Sequence, residues 1–132
     1  MDGIPSSSQA GILATIADLP ATSESPARAR DAITGYLAQR QVDDRRLADA
    51  ALVTSELVAN AVDVAGSVHL RAGLVGGHIR IEVDDDGPGR PRLVTGNERG
   101  GFGLHVVDAL AEEWGTELAS QHKTVWAVLP GW

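Results

Sequence analysis

Three blocks of residues have the types and spacing to do chemistry. Glu56 and Asn60 stand four positions apart in a run whose apolar residues recur at helical spacing, so both side chains leave one face of a helix. A carboxylate there can orient or deprotonate a hydroxyl or a water, and an amide oxygen can coordinate a hard cation such as Mg2+. A solvated helix face carries such a pair equally well, and the pair alone does not choose. Asp85 follows Ile79, Ile81 and Val83 at alternating positions, and strand parity puts its side chain on their face, the one expected to be buried. A buried carboxylate needs a donor. The amino group of adenine is one such donor; the other reading ends the strand at Val83 and leaves Asp85 in a turn.

Glycines form the third block. Asp85 opens Asp85-Asp86-Gly87-Pro88-Gly89, and further on Gly100-Gly101-Phe102-Gly103-Leu104 runs directly into a helical pattern. Glycine lets the backbone approach a planar base closely, and free N–H groups at a helix start favour an anion such as a triphosphate. Either cluster by itself is also compatible with an ordinary turn.

Elements must position these residues. Ile12 to Leu19 reads as a first strand, a candidate edge, ended by Pro20. Ser25-Pro26 reads as a capped helix start, with Ala29, Ile33, Tyr36 and Leu37 carrying the helix to about Arg40. A second, longer helix begins at Asp43 or Asp44 and ends before Gly66, its apolar face built from Leu47, Ala50, Ala51, Leu57, Val58 and Ala61. Strands over 67–75 and 78–85 are joined at Gly76-Gly77, a favourable hairpin turn. Gly87 to Gly103 reads as a flexible loop, Leu104 to Glu113 as a helix, and Thr116 to Ala119 and Lys123 to Leu129 as a last hairpin turning near Gln121-His122. Hairpins mixed with helices predict an α/β two-layer sandwich: a mixed, mainly antiparallel sheet with helices on one face. Residues 1–10 read as a flexible tail and 11–132 as one domain.

Composition limits the partners. The 132 residues suit one core, and a hydrophobic share of 43% excludes wholesale disorder. A net charge of −7 counts against generic binding of nucleic acid; it does not forbid a single nucleotide held by backbone N–H groups and a cation. The absence of cysteine removes disulfides and thiolate metal sites and sits comfortably with a reducing cytoplasm. No apolar run approaches the roughly 20 residues of a membrane span, and the first residues do not read as a secretory signal. His69, His78, His105 and His122 show no metal-ligand spacing.

The order of the blocks is more specific than any one of them. ExxxN on a helix, DxGxG after a strand and GxGL opening a later helix resemble the ATP-binding domain of the gyrase, histidine kinase and heat-shock-90 (GHKL) superfamily, over about Ile12 to Pro130. Within it, "LVTSELVANAV", "IEVDDDGPGRP", "GGFGLHVVDALAEEWG" and "KTVWAVLP" look most like the bacterial anti-sigma factor serine/threonine kinases, which are stand-alone domains of this size. The resemblance implies that Glu56 is the general base and that Asn60 holds Mg2+ against the phosphates. It further implies that Asp85 accepts from adenine in a pocket shaped by Gly87 and Gly89. Gly101, Phe102, Gly103 and Leu104 then line the phosphates, and Thr124 helps hold adenine. Arg99 is chosen from Arg90, Arg92 and Arg99 to reach the phosphates, for its place beside the glycines. Val64 departs from the family, which often has a histidine four residues after the Asn.

Three functions follow as expectations. One is a kinase that binds a sigma factor or comparable regulator and phosphorylates an antagonist of the STAS type. A second is a non-catalytic, ATP-responsive binding module; a third is a plain ATPase with no protein acceptor. The resemblance also implies a homodimer, for which the first strand or helix offers apolar surface. Phosphoryl transfer to a histidine of the chain itself is not indicated.

Overall fold

The computed structural model describes residues 13–62, 66–86, 102–118 and 122–131. They form β1 (Ala14–Pro20), α1 (Ser25–Ala38), α2 (Asp44–Val62), β2 (Ser67–Val75), β3 (His78–Asp85), α3 (Phe102–Leu110), β4 (Glu113–Leu118) and β5 (Lys123–Pro130). The expected tail, residues 87–101 of the expected loop and Gln121 lie outside the described residues.

Helix α1 buries Ala29, Ile33 and Leu37, one per turn. Pro26 sits in its first turn, but Ser25 is not the cap expected from sequence: its hydroxyl donates to the Pro20 carbonyl at 2.5 Å, tying the helix start to the end of β1. At the other end the Val42 amide donates to the Leu37 carbonyl across Gln41, which takes a left-handed φ of 65°. This is the geometry that closes many helix C-termini, here without the usual glycine. In α2 the Asp43 carboxylate accepts from the Arg46 amide at 2.9 Å and caps the helix. Its buried face contains Ala50, Val53, Leu57, Val58 and Ala61.

The five strands stand in the order β1-β2-β3-β5-β4, and all four pairings are antiparallel. Gly76 and Gly77, at φ 61° and 83°, make the tight turn between β2 and β3. Helix α2 packs on β2, β3 and β5, α1 on α2 and β1, and α3 on α2 and β4. Val68, Leu70, Ala72, Ile79, Ile81, Val83, Ala127 and Leu129 form the sheet's side of the core, each at most 1% exposed. The fold is therefore the expected sandwich, helices covering one face.

Two boundaries differ from the sequence reading. Helix α3 starts at Phe102 and stops at Leu110, and the chain then enters β4 at Glu113, so Glu113 is a strand residue. The reason is sheet pairing: the Glu112 amide donates to the Val128 carbonyl at 2.8 Å, and β4 pairs from Glu113↔Val128 onward. Tertiary hydrogen bonding overrides helix periodicity there. No helix among the described residues is long and apolar enough to cross a membrane.

At one end of the sheet, Gly131 donates to the Gly77 carbonyl, and a Cβ added at Gly131 would stand 2.2 Å from that oxygen. Gly131→Ala must push the hairpin turn aside and should cost about 1–3 kcal/mol. Urea unfolding measures it; a midpoint equal to the parent's would show that this contact is not a constraint.

Candidate functional site

The run Asp84-Asp85-Asp86 sends three identical side chains to three different tasks. Asp84 faces away from the helices, where it accepts from the Thr124 hydroxyl and from the Arg71 guanidinium at 3.0 Å. Asp86, beyond the strand, accepts from the Ser67 amide at 2.9 Å and the Ser67 hydroxyl at 2.6 Å, joining the start of β2 to the end of β3. The Ser67 hydroxyl, then its amide, hold the Asp86 carboxyl below its ordinary value. Asp85 lies between them on the face of Val83, Ile81 and Ile79 and is 4% exposed. The strand thus continues through Asp85, as parity requires.

Across from Asp85 stand Val68 on β2 and Lys123 on β5, and Leu118 on β4 pairs with Lys123. These four residues form a row on the helix side at one end of the sheet. Val68 is fully buried, whereas Leu118 is 64% exposed, so the row is closed at one side and open at the other. The Lys123 ammonium lies 3.5 Å from the Asp85 carboxylate.

Helix α2 brings Glu56 and Asn60 to the same region. Residues 63–66 alone separate its last residue, Val62, from Ser67, so the C-terminal end of α2 lies at the end of the sheet that carries Asp85. Both side chains are partly buried, beside the fully covered Leu57, Val58 and Ala61. They therefore sit at the margin of the core rather than on a wholly solvated face. Among the described residues no group of three or more His, Asp or Glu could hold a metal. Asn60 fits Mg2+ as a single protein ligand, since that ion keeps water and phosphate oxygens as its other ligands.

The lid side is only partly described. Gly87, Gly89, Arg90, Arg92, Arg99 and Gly101 lie outside the described residues; Phe102, Gly103 and Leu104 form the first turn of α3. Thr124 needs a correction. It shares a face with Trp126 and Val128, as expected, but this face is opposite to that of Asp85, and its hydroxyl is used by Asp84. The residue beside Asp85 is Lys123. Sequence reasoning missed it because the partner of Asp85 depends on the non-local pairing of β5 with β3, which no local pattern encodes.

A second constellation lies on the helix-free face. Arg71 donates to Glu82 at 2.7 Å, Arg80 donates to the other oxygen of Glu82 at 2.7 Å, and the Arg80 guanidinium lies 4.6 Å over the Trp126 ring. Glu82 and Arg80 are 2% and 6% exposed although no helix covers them. Every oxygen of Glu82 is used within the protein, so this cluster stiffens the sheet rather than offering groups to a ligand.

Comparison with known proteins agrees with the geometry. Residues 19–129 match the family described as the histidine kinase-like ATPase domain. No curated protein matches the chain. Among solved structures, the RsbU and RsbW domains of Rv1364c from Mycobacterium tuberculosis superpose with a TM-score of 0.69 at 24% identity, covering 90% of this chain and 32% of that one. The histidine kinase domain of the Erythrobacter litoralis EL346 blue-light activated histidine kinase gives 0.52 at 27% identity, over 64% of this chain and 44% of that one. A second structure of the EL346 kinase gives 0.54 at 27%, over 67% and 31%. The chain thus spans less than half the length of each.

The Ser67–Asp86 link makes a pH prediction. A carboxyl held below its ordinary value in the folded state lends stability above its unfolded-state pKa and loses it as pH falls through the folded one. In an NMR titration Asp86 should therefore protonate at lower pH than an ordinary aspartate, and Ser67→Ala should move it back up. An unchanged Asp86 titration in that variant would contradict the assigned cause.

Proposed function

Because the chain belongs to the histidine kinase-like ATPase domain family, we propose that it binds ATP beside Asp85 and uses it to regulate a partner protein. In its specific form the reading is an anti-sigma factor-like serine/threonine kinase that phosphorylates a STAS-type antagonist and is held against a sigma factor or similar regulator. The observation that carries it is the position of Asp85: a carboxylate 4% exposed, on the core side, at the open end of a row of residues. Such a group is a specific acceptor for the amino N–H of a purine, because a burial site for charge discriminates strongly between donors and acceptors.

The remaining roles follow from the ends of elements that meet there. The Asn60 amide oxygen is assigned to Mg2+, which when bound neutralises phosphate charge and holds the triphosphate in place. Glu56, one turn earlier on the same helix face, is assigned to take the proton from an incoming serine or threonine hydroxyl. Backbone N–H groups from Gly101 through Leu104, with Arg99, are assigned to the phosphates; Gly87 and Gly89 shape the way in for the base. Positioning and electrostatic stabilisation supply most of the rate in such transfers. The product partner gains about −2 charge, and this acidic chain of net charge −7 then repels it. The RsbW domain in the solved structure that covers 90% of this chain supports the partner-regulating reading. The reading includes a cytoplasmic location and a homodimer.

Transfer from labelled ATP to candidate antagonists tests the kinase. The parent should label its acceptor, and Glu56→Ala should lose about 100-fold or more of that rate while still binding ATP. Tight ATP binding with no transfer to any acceptor would leave instead a nucleotide-responsive binding module.

Calorimetric ATP binding tests the pocket. Asp85→Asn should weaken ATP by about 30-fold or more, since its amide offers donors where an acceptor is needed, and Asn60→Ala should chiefly abolish the dependence on Mg2+. If both variants bind as the parent does, the site lies elsewhere.

A further inference from the structure

We propose that Lys123 reads the base, its ammonium donating to the ring nitrogen next to the amino group that Asp85 accepts: N1 of adenine. This rests on the nucleotide site proposed above and adds to it a residue that determines which base fits.

Lys123 and Asp85 are directly paired across β5 and β3, so their side chains leave the sheet on the same side. Both are well covered, at 13% and 5% side-chain exposure. Their separation differs from that of the other covered ion pairs. Arg80 and Arg71 each close on Glu82 at 2.7 Å, whereas the Lys123 ammonium stands 3.5 Å from Asp85, outside the usual range of a hydrogen bond. The ammonium carries three donors, and at that distance they are not committed to Asp85. The pair therefore presents an acceptor and a donor side by side.

That is the complement of one edge of adenine, where an amino donor lies beside a ring acceptor. Two adjacent groups of opposite kind identify a base edge far better than one, as paired contacts to bases do elsewhere. The rest of the row suits a planar apolar body. Leu118, next to Lys123 on the same face, is 64% exposed and gives a base an apolar surface to lie along, while buried Val68 limits its depth on the far side of Asp85.

A simpler role for Lys123 is that of counter-charge to Asp85, and binding of ATP and 1-deazaadenosine triphosphate, which lacks N1, separates the two. The parent should bind the deaza compound about tenfold more weakly than ATP, the worth of one charge-assisted hydrogen bond. Lys123→Met should lose about that factor for ATP and should no longer distinguish the two nucleotides. Equal binding of both by the parent overturns the proposal without needing any variant. So does a Lys123→Met protein that still discriminates, or one that loses the same factor for both nucleotides, as a counter-charge would require. Asp85→Asn run beside them separates the underlying reading. If it weakens ATP while the parent ignores the loss of N1, Lys123 alone is misassigned; if neither matters, or ATP does not bind, the nucleotide site falls and Lys123 with it.

Discussion

Gly76 and Gly77 turn β2 into β3 within two residues, and this turn sets the side on which each β3 side chain emerges. The period of a strand is two residues, so a slip of one would exchange the faces. Ile79, Ile81 and Val83 would leave the core, and Asp84 rather than Asp85 would face α2. The register is held from several directions: Gly131 clasps the turn at one end, Ser67 and Asp86 bind the two strands at the other, and β5 fixes β3 along its whole length. The place of the candidate site thus derives from a turn at the opposite end of the hairpin.

The two faces of the sheet handle charge differently. On the helix-free side Arg71, Arg80, Glu82, Asp84 and Thr124 satisfy one another beneath the Trp126 ring. Removing one member of such a covered network leaves its partner's charge uncompensated, which is costly. Gly115 makes room for the indole, since a Cβ there would lie 2.9 Å from the ring. On the helix side the charges are few and stand at the sheet's end, among otherwise apolar neighbours. A closed network suits a rigid support; a sparse pair at a margin suits an exchange of partners.

Much of this was legible in the sequence, for reasons that differ by element. The hairpin 67–75 and 78–85 was readable to the residue because its glycines and alternation are local signals. The face of Asp85 followed from parity alone. Helix α2 was readable because its apolar stripe is long and its cap stands in the sequence. What could not be read were consequences of distant pairing. Glu113 became a strand residue through Val128, and the hydroxyl of Ser25 went to Pro20 instead of to its own helix. Thr124 and Lys123 exchanged their expected significance because the register of β5 against β3 decides which of two adjacent residues faces the helices. Family resemblance named the right strand; only the pairing distinguished its two faces.

The outermost strands carry a consequence for assembly. In β1 the pairing with β2 slips between Thr15 and Ala17, a bulge, and such irregularities bend a strand and spoil its free backbone as a template. At the other border, β4 is short and bears exposed Glu113 and Glu117 around Gly115. Neither border offers a flat, neutral ribbon, so a second copy is discouraged from continuing the sheet into a longer one. Self-association of this domain is thereby directed to its layers and kept from its rims, which leaves strand-by-strand growth into fibres without a starting point.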